Sequence, residues 1–257
     1  MSLSKQNLTP LSDSQLMRYS RHIMLPNMDI DGQELIWNSE VLIVGVGGLG
    51  CAVAQYLVAS GLGTITLVDD DDVDKTNLQR QILFQESSVG NKKVLSAKQN
   101  LSVLNSEVTI HCIDKRLNDS ELSQLVAQQD VVIDCTDNLT TRNQLNKACY
   151  DNQTPLISGA AIRMEGQVST FTMKTNSPCY SCLSNMFGEQ SLTCSEAGIL
   201  SPVVGLVGCI QATECLKLLA NIGETISHKL LLIDAMTMEF KEFKIAQHPQ
   251  CQVCAHK

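Results

Sequence analysis

Val41-Leu42-Ile43-Val44-Gly45-Val46-Gly47-Gly48-Leu49-Gly50 is the stretch of this 257-residue chain on which the fold turns. Four aliphatic residues in a row, with no polar residue alternating among them, predict a strand buried on both faces. The glycines make a tight turn and let the backbone approach a bound group closely, and Leu49 to Ser60 reads as a helix opening out of that turn. Strand, glycine turn and helix in this order bring unpaired N–H groups and the positive end of a helix dipole to one spot, which suits a phosphate.

Outward from this unit the chain alternates short apolar runs with longer helical segments. Thr64–Val68, Val108–Ile113 and Val131–Ile133 read as strands, and Lys92–Leu104, Ser120–Ala127 and Thr140–Asn152 as helices. Unbroken apolar strands separated by helices predict a parallel sheet covered on both faces. From about Leu156 the pattern shifts. Val168–Met173 alternates as an antiparallel strand does, Val203–Leu219 is a long helix, and Leu230–Ile233 and Glu239–Ile245 read as strands. Upstream, the capping box Ser12-Asp13-Ser14-Gln15 precedes a helix carrying Leu16, Met17, Arg18, Arg21 and Ile23, and a second short helix covers Gln33–Asn38. The expected architecture is α/β: a Rossmann-like, doubly wound, mostly parallel sheet extended by an antiparallel edge. It forms a single domain over 1–257, with N-terminal helices at 1–39, a nucleotide-binding core at 40–161, and an antiparallel extension at 162–257 that carries two zinc knuckles.

The chain is 44% hydrophobic and 18% charged, with a net charge of -8. An acidic chain without a basic cluster repels phosphate backbones, which argues against nucleic acid and anionic membranes as main partners. No run of about 18 apolar residues stands out, and Met1 to Gln15 lack the apolar core of a secretory signal, so a cytoplasmic, non-membrane protein is expected.

Gly45, Gly47, Gly48 and Gly50 are followed, 19 residues after the last, by Asp69 at the end of the next strand, where an acid can hold ribose hydroxyls. This much fits NAD as well as ATP. Asn77-Leu78-Gln79-Arg80-Gln81 and Lys92-Lys93 add cations, which a transfer at phosphorus needs because an anionic carboxylate must approach an anionic phosphate. Asp137, followed by Asn138 just after the Val131–Ile133 strand, is placed to hold a magnesium ion, and Asp71 belongs to the acidic stretch Asp69 to Asp72 that comes just before Asn77. Taken singly, each of these also reads as a solvated loop charge.

Of eleven cysteines, four form Cys179-x-x-Cys182 and Cys251-x-x-Cys254. Two such knuckles suit a structural, tetrahedral Zn2+ with no open position; His248 and His256 flank the second pair as substitute ligands. Most of the others sit in apolar segments as small hydrophobes. Cys194 lies among small polar residues and is a candidate reactive thiol.

Taken together, the Gly-x-Gly-Gly-x-Gly turn, Asn77-Leu78-Gln79-Arg80-Gln81, Cys135-Thr136-Asp137-Asn138 and the paired knuckles resemble the ubiquitin-activating-like (HesA/MoeB/ThiF) adenylyltransferase family over nearly the whole chain. The resemblance implies a homodimer binding Mg-ATP through Gly48, Asp69, Asn77, Arg80, Lys93 and Asp137, with Arg21 reaching the neighbouring subunit's triphosphate. It implies zinc on the four knuckle cysteines. The substrate would be the Gly-Gly C-terminus of a small ubiquitin-like sulfur carrier, adenylated and then converted to a thiocarboxylate by a separate sulfur donor. Cys194 matches a thiol that can bond to the carrier. Ser158–Gln167, Cys182-Leu183-Ser184, Phe187-Gly188-Glu189 and the Cys194 segment look like the MoeB branch, which serves molybdopterin. Asp69–Val73 and Arg80–Phe84 look more like ThiF, which serves thiamine. Two other readings stay open, an NAD-dependent dehydrogenase and a non-catalytic carrier-binding scaffold. The first lacks a histidine or tyrosine–lysine pair in an obvious hydride-transfer setting, and the second is at odds with the retained charges.

Overall fold

The computed structural model describes residues 8–187 and 197–255. β1 (Glu40–Val44) runs parallel between β2 (Thr64–Val68) and β4 (Val131–Asp134). β3 (Thr109–Ile113) flanks β2 and β5 (Leu156–Ile162) flanks β4, also in parallel. Then β6 (Glu165–Phe171), β7 (Lys229–Asp234) and β8 (Glu239–Lys244) continue the same sheet antiparallel, giving the order β3-β2-β1-β4-β5-β6-β7-β8.

The apolar run of β1 is explained by its two faces. Val41 and Ile43 join one core and Leu42 and Val44 the other, all buried. Each such side chain contributes roughly 1.5–3 kcal/mol when taken from water. The short N-terminal helices are α1 (Asp13–Arg18), α2 (Ser20–Ile23) and α3 (Asp29–Trp37). α4 (Gly48–Ala59) and α5 (Lys93–Leu104) cover one face of the sheet, while α6 (Asp119–Val126), α7 (Leu139–Asn152) and α8 (Tyr180–Phe187) cover the other. α9 (Ser201–Ala220) lies against α4, β5 and β6, so the antiparallel extension shares the core of the parallel half.

Several boundaries differ from the sequence expectation. The Ser12 capping box forms, with the Gln15 N–H donating to Ser12 Oγ, yet the helix breaks at Tyr19. There the buried ring lies so close to Gly61 that a Cβ on that glycine would come within 2.4 Å of it. α3 starts at Asp29, well before Gln33. β5 was not anticipated, because its centre is small: Gly159 faces Gln211, whose amide a Cβ there would meet at 2.4 Å. β6 begins at Glu165 and ends at Phe171, short of Met173, whose φ is +55°. α8 was not anticipated either.

α9 corrects the expectation that no segment is apolar enough to span a membrane. By length and a mean hydropathy of 1.6 it qualifies, but more than half of it is buried inside the protein. Its buried Glu214 accepts hydrogen bonds from Thr170 Oγ1 at 2.7 Å and the Ile226 N–H at 2.6 Å and pairs with Lys217, a polar anchor inside the core.

Gly50 closes the turn after β1 from behind, since a Cβ there would sit 2.0 Å from the Gly45 carbonyl oxygen. Gly50→Ala is expected to lower the unfolding free energy by at least about 1–3 kcal/mol, the cost of overpacking. A wild-type urea midpoint would show that the turn yields.

Candidate active site

A cavity of about 1240 Å³ opens at the carboxyl ends of the parallel strands, where β1 and β4 diverge. That is the topological switch point at which open α/β sheets hold ligands. Gly45, at φ +90°, brings the turn after β1 against the turn after β4, since a Cβ there would meet the Cys135 carbonyl oxygen at 2.7 Å. α4 begins at Gly48 behind the N-cap Gly47, and no side chain caps it, so its first N–H groups face the cavity without a side-chain acceptor. Gly47 has room, the nearest atom to an added Cβ being Gln81 Nε2 at 3.6 Å.

Charged groups ring this turn. The Asp69 side chain is only 9% exposed, and its carboxylate accepts the Val46 N–H at 2.7 Å and the Asp71 N–H at 3.0 Å. Burial pushes the Asp69 carboxyl up from the ordinary range, and the Lys93 ammonium opposes that shift. Lys93 is itself buried, with Nζ 2.7 Å from Asp71 Oδ2 and 3.9 Å from Asp69 Oδ1. Asn77 closes a 3-10 turn capped by Asp74, and Arg80 Nη1 donates to the Thr76 carbonyl at 3.2 Å. The buried Gln81 side chain has an Oε1 with no partner among the described residues. Cations beside an open glycine turn fit a polyanionic ligand such as a nucleotide, and the orphaned Gln81 oxygen calls for a hydroxyl or amino donor rather than a phosphate oxygen.

Asp137 and Asn138 stand on the loop between β4 and α7. Asn138 is the N-cap of α7, accepting the Thr141 N–H at 2.9 Å. Asp137 is exposed to the cavity, and its carboxylate has no partner among the described residues. The loop is anchored from below by Asp134 and Arg142, both buried and 3.6 Å apart.

Gly45, Gly47, Gly48, Asp69, Asp71, Asn77, Arg80, Lys93, Asp137 and Asn138 therefore share one cavity. Gly50 does not line it; it packs behind the turn. Arg21 lies elsewhere, exposed on α2 with Nη1 3.7 Å from Met24 Sδ. Cys194 falls outside the described residues. Gln81, Arg142, Gln167, Tyr180 and Leu183 also line the cavity, and sequence reasoning gave none of them a role in it. Arg142 carried one signal, an arginine among apolar and amide residues on the helix that follows Asp137.

The four knuckle cysteines converge. Their sulfurs lie within 4.8 Å of one another, with Cys179 and Cys251 at 3.7 Å and Cys182 and Cys254 at 3.4 Å. A tetrahedron of sulfurs about 2.3 Å from a central ion has edges of roughly 3.8 Å, whereas a disulfide needs about 2.05 Å. The Asn146 amide donates to Cys179 Sγ at 3.5 Å and the His248 N–H to Cys182 Sγ at 3.3 Å. The His248 ring is turned away, its Nδ1 accepting the Gln250 N–H at 3.2 Å, so four sulfurs form the cluster. Burial pushes the Cys179 thiol up to about 11 and the Cys254 thiol up as well, so a cation is needed to hold these two as thiolates at neutral pH. The donor set suits a tetrahedral, thiophilic divalent ion.

The ThiF family model matches residues 19–253. The chain belongs to the ThiF family. It is 49% identical to the molybdopterin-synthase adenylyltransferase of Salmonella typhimurium, over 96% of this chain and 99% of that protein. It is 41% identical to the sulfur carrier protein ThiS adenylyltransferase of Escherichia coli, over 95% and 97%. The structure of E. coli MccB with ATP superimposes with a TM-score of 0.79 at 25% identity, covering 92% of this chain and 74% of that one.

Lys93→Met would leave the Asp69 carboxylate with its two backbone N–H donors and the Asp71 charge but no cation beside it. Asp69 would then hold its proton to higher pH in the fold than in the unfolded chain. The destabilisation is therefore largest at pH 7, up to about 3 kcal/mol, and shrinks as pH falls through the carboxylate range and Asp69 takes its proton. Urea unfolding at pH 7 and pH 4 measures it; equal losses at both would mean that Lys93 does not hold the Asp69 charge.

Proposed function

We propose that this ThiF-family chain adenylates the C-terminal carboxylate of a small ubiquitin-like sulfur-carrier protein, activating it for thiocarboxylate formation in molybdopterin biosynthesis. The observation that carries the reading is the charge arrangement in one cavity: Lys93 and Arg80 on one side, the unpartnered Asp137 on the other, and the uncapped start of α4 between them. Such a site is equipped to neutralise a polyphosphate rather than to move a hydride. The 49% identity to a molybdopterin-synthase adenylyltransferase supports the pathway, and the 41% identity to a ThiS adenylyltransferase keeps the thiamine carrier as the second reading.

In this reading the α4 N-terminus and the Gly45–Gly48 turn receive ATP, Lys93 and Arg80 offset the negative charge on its phosphates, and Asp137 holds Mg2+. When bound, that ion draws charge from the departing pyrophosphate. A carrier carboxylate oxygen bonds to the α-phosphorus as the bond to pyrophosphate breaks, giving the acyl-adenylate. The carboxylate arrives ionised, so no general base is required; positioning and charge neutralisation supply the rate. The small-residue floor at Ala160, Ala161 and Gly166 gives the carrier's tail a path to the phosphates. A separate protein donates the sulfur, with Cys194 a candidate to bond with the carrier. Arg21, remote from its own cavity, is read as serving a partner subunit in a homodimer. Zn2+ is the ion read for the four-cysteine cluster, and the compartment is the cytoplasm, where such thiols stay reduced.

ATP–pyrophosphate exchange with the purified small subunit of molybdopterin synthase and with a ThiS-type carrier tests the reading. Exchange with the first alone is expected; exchange with both would mark a shared activator, and exchange with neither would overturn the proposal. Asp137→Ala is expected to lower exchange at least about 100-fold while the protein stays folded, dimeric and zinc-loaded. Chelating the zinc is expected to lower the thermal midpoint by loosening residues 245–255, and an unchanged midpoint would remove its structural role.

A further inference from the structure

We propose that Arg142 is a positioning residue for the reaction, aiming Asp137 at the divalent cation; the inference rests on the adenylation reading above. Thr136, the residue before Asp137, is held from both ends. Its N–H and hydroxyl donate to Asp134 Oδ1 at 3.0 and 2.7 Å, and its carbonyl accepts from Arg142 Nη2. The same Nη2 donates to the Gly159 carbonyl at 2.9 Å, while Nη1 reaches Ser158 Oγ at 3.3 Å and Asp134 Oδ2 at 3.6 Å. Ser158 Oγ in turn donates to Asp134 Oδ2 at 2.8 Å. One guanidinium thus ties the end of β4 to β5 and fixes the peptide plane from which Asp137 departs.

On its far side Asp137 is followed by Asn138, which is fixed as the N-cap of α7. Asp137 stands between two pinned residues with its own carboxylate unpartnered, the arrangement of a ligand aimed by its neighbours rather than by its own bonds. For stability alone, a buried ion pair is no better than apolar residues of equal volume. A lysine lacks the planar fork that lets one nitrogen hold the two carbonyls while the other reaches Ser158 and Asp134. The Arg142 head lines the cavity, yet its donors are spent on Thr136, Gly159, Ser158 and Asp134, and it lies 5.9 Å from the centre of the Tyr180 ring.

Tyr180 links this anchor to the cysteine cluster. Its N–H donates to Asn146 Oδ1 at 2.8 Å, and the Asn146 amide donates to Cys179 Sγ. The guanidinium is therefore backed by a ring that the cluster holds in place.

The test is calorimetric titration of ATP into the full-length protein, with and without Mg2+. Arg142→Lys keeps a charge beside Asp134 but loses the fork. It is expected to reduce the affinity gained from Mg2+ about tenfold, the scale on which an outer partner of a metal ligand acts, with Mg2+-free affinity unchanged. Thr136→Val, which removes only the hydroxyl bond to Asp134, is expected to shift the same gain in the same direction by less, and it decides the matter if Arg142→Lys does not fold. A wild-type gain in the folded variants would overturn the proposal. So would an equal loss with and without Mg2+, which would make Arg142 a phosphate contact or a plain structural residue. Wild-type protein that fails to bind Mg-ATP at all would instead overturn the adenylation reading.

Discussion

Two turns touch where β1 and β4 part company, and the arrangement of the site depends on that contact. Gly45 lies so close to the Cys135 carbonyl that no side chain fits between them, and Gly50 lies as close to Gly45. The contact sets the distance between the uncapped start of α4 on one strand end and the Asp137 loop on the next. A nucleotide held at one is thereby presented to the other. Widening the gap by one methyl group would move the phosphate turn away from the acidic loop, and misplacement on the ångström scale is what positioning catalysis tolerates least.

The electrostatics follow from the same geometry. Lys93 is buried at the rim and the Asp69 side chain is nearly so, and each would be costly alone. Together, with the Val46 and Asp71 N–H groups completing the carboxylate's hydrogen bonds, they hold the turn in shape and leave a cation beside the space for phosphates. Deeper in, Asp134 and Arg142 repeat the device beneath the other loop. In each case a buried pair stiffens a loop, while a less enclosed charge, Arg80 or Asp137, is left to meet the ligand.

The sequence revealed most where a residue type had few alternatives. A run of four aliphatic residues in β1 could only be a strand buried on both faces, and it is. The two Cys-x-x-Cys pairs could be matched before anything was known of the chain path between them, and their sulfurs converge. What stayed hidden depended on tertiary partners. β5 carries no strand signal of its own because Gly159 and its small neighbours leave space for Gln211, which arrives from a helix about 50 residues later. The break at Tyr19 is set by Gly61, and α8 by the cluster that it helps to build. The role of Arg142 stayed hidden because its acceptors, Thr136 just past β4 and Gly159 within β5, are brought to it only by the sheet.

The pairing of β1 with β4 also shapes how the chain comes together in time. Val41 meets Val131, 90 positions further along (131 − 41), across a stretch that holds β2, β3 and the helices between them. Contacts so distant in sequence close slowly, and an unpaired apolar strand edge is open to the wrong partners while it waits. Until β4 docks, the edge of Val41–Val44 lacks its neighbour and Gly45 has no Cys135 to rest against. The step that seals this apolar edge is thus also the step that assembles the crevice, so a chain stalled before it has both an open strand edge and an unformed site.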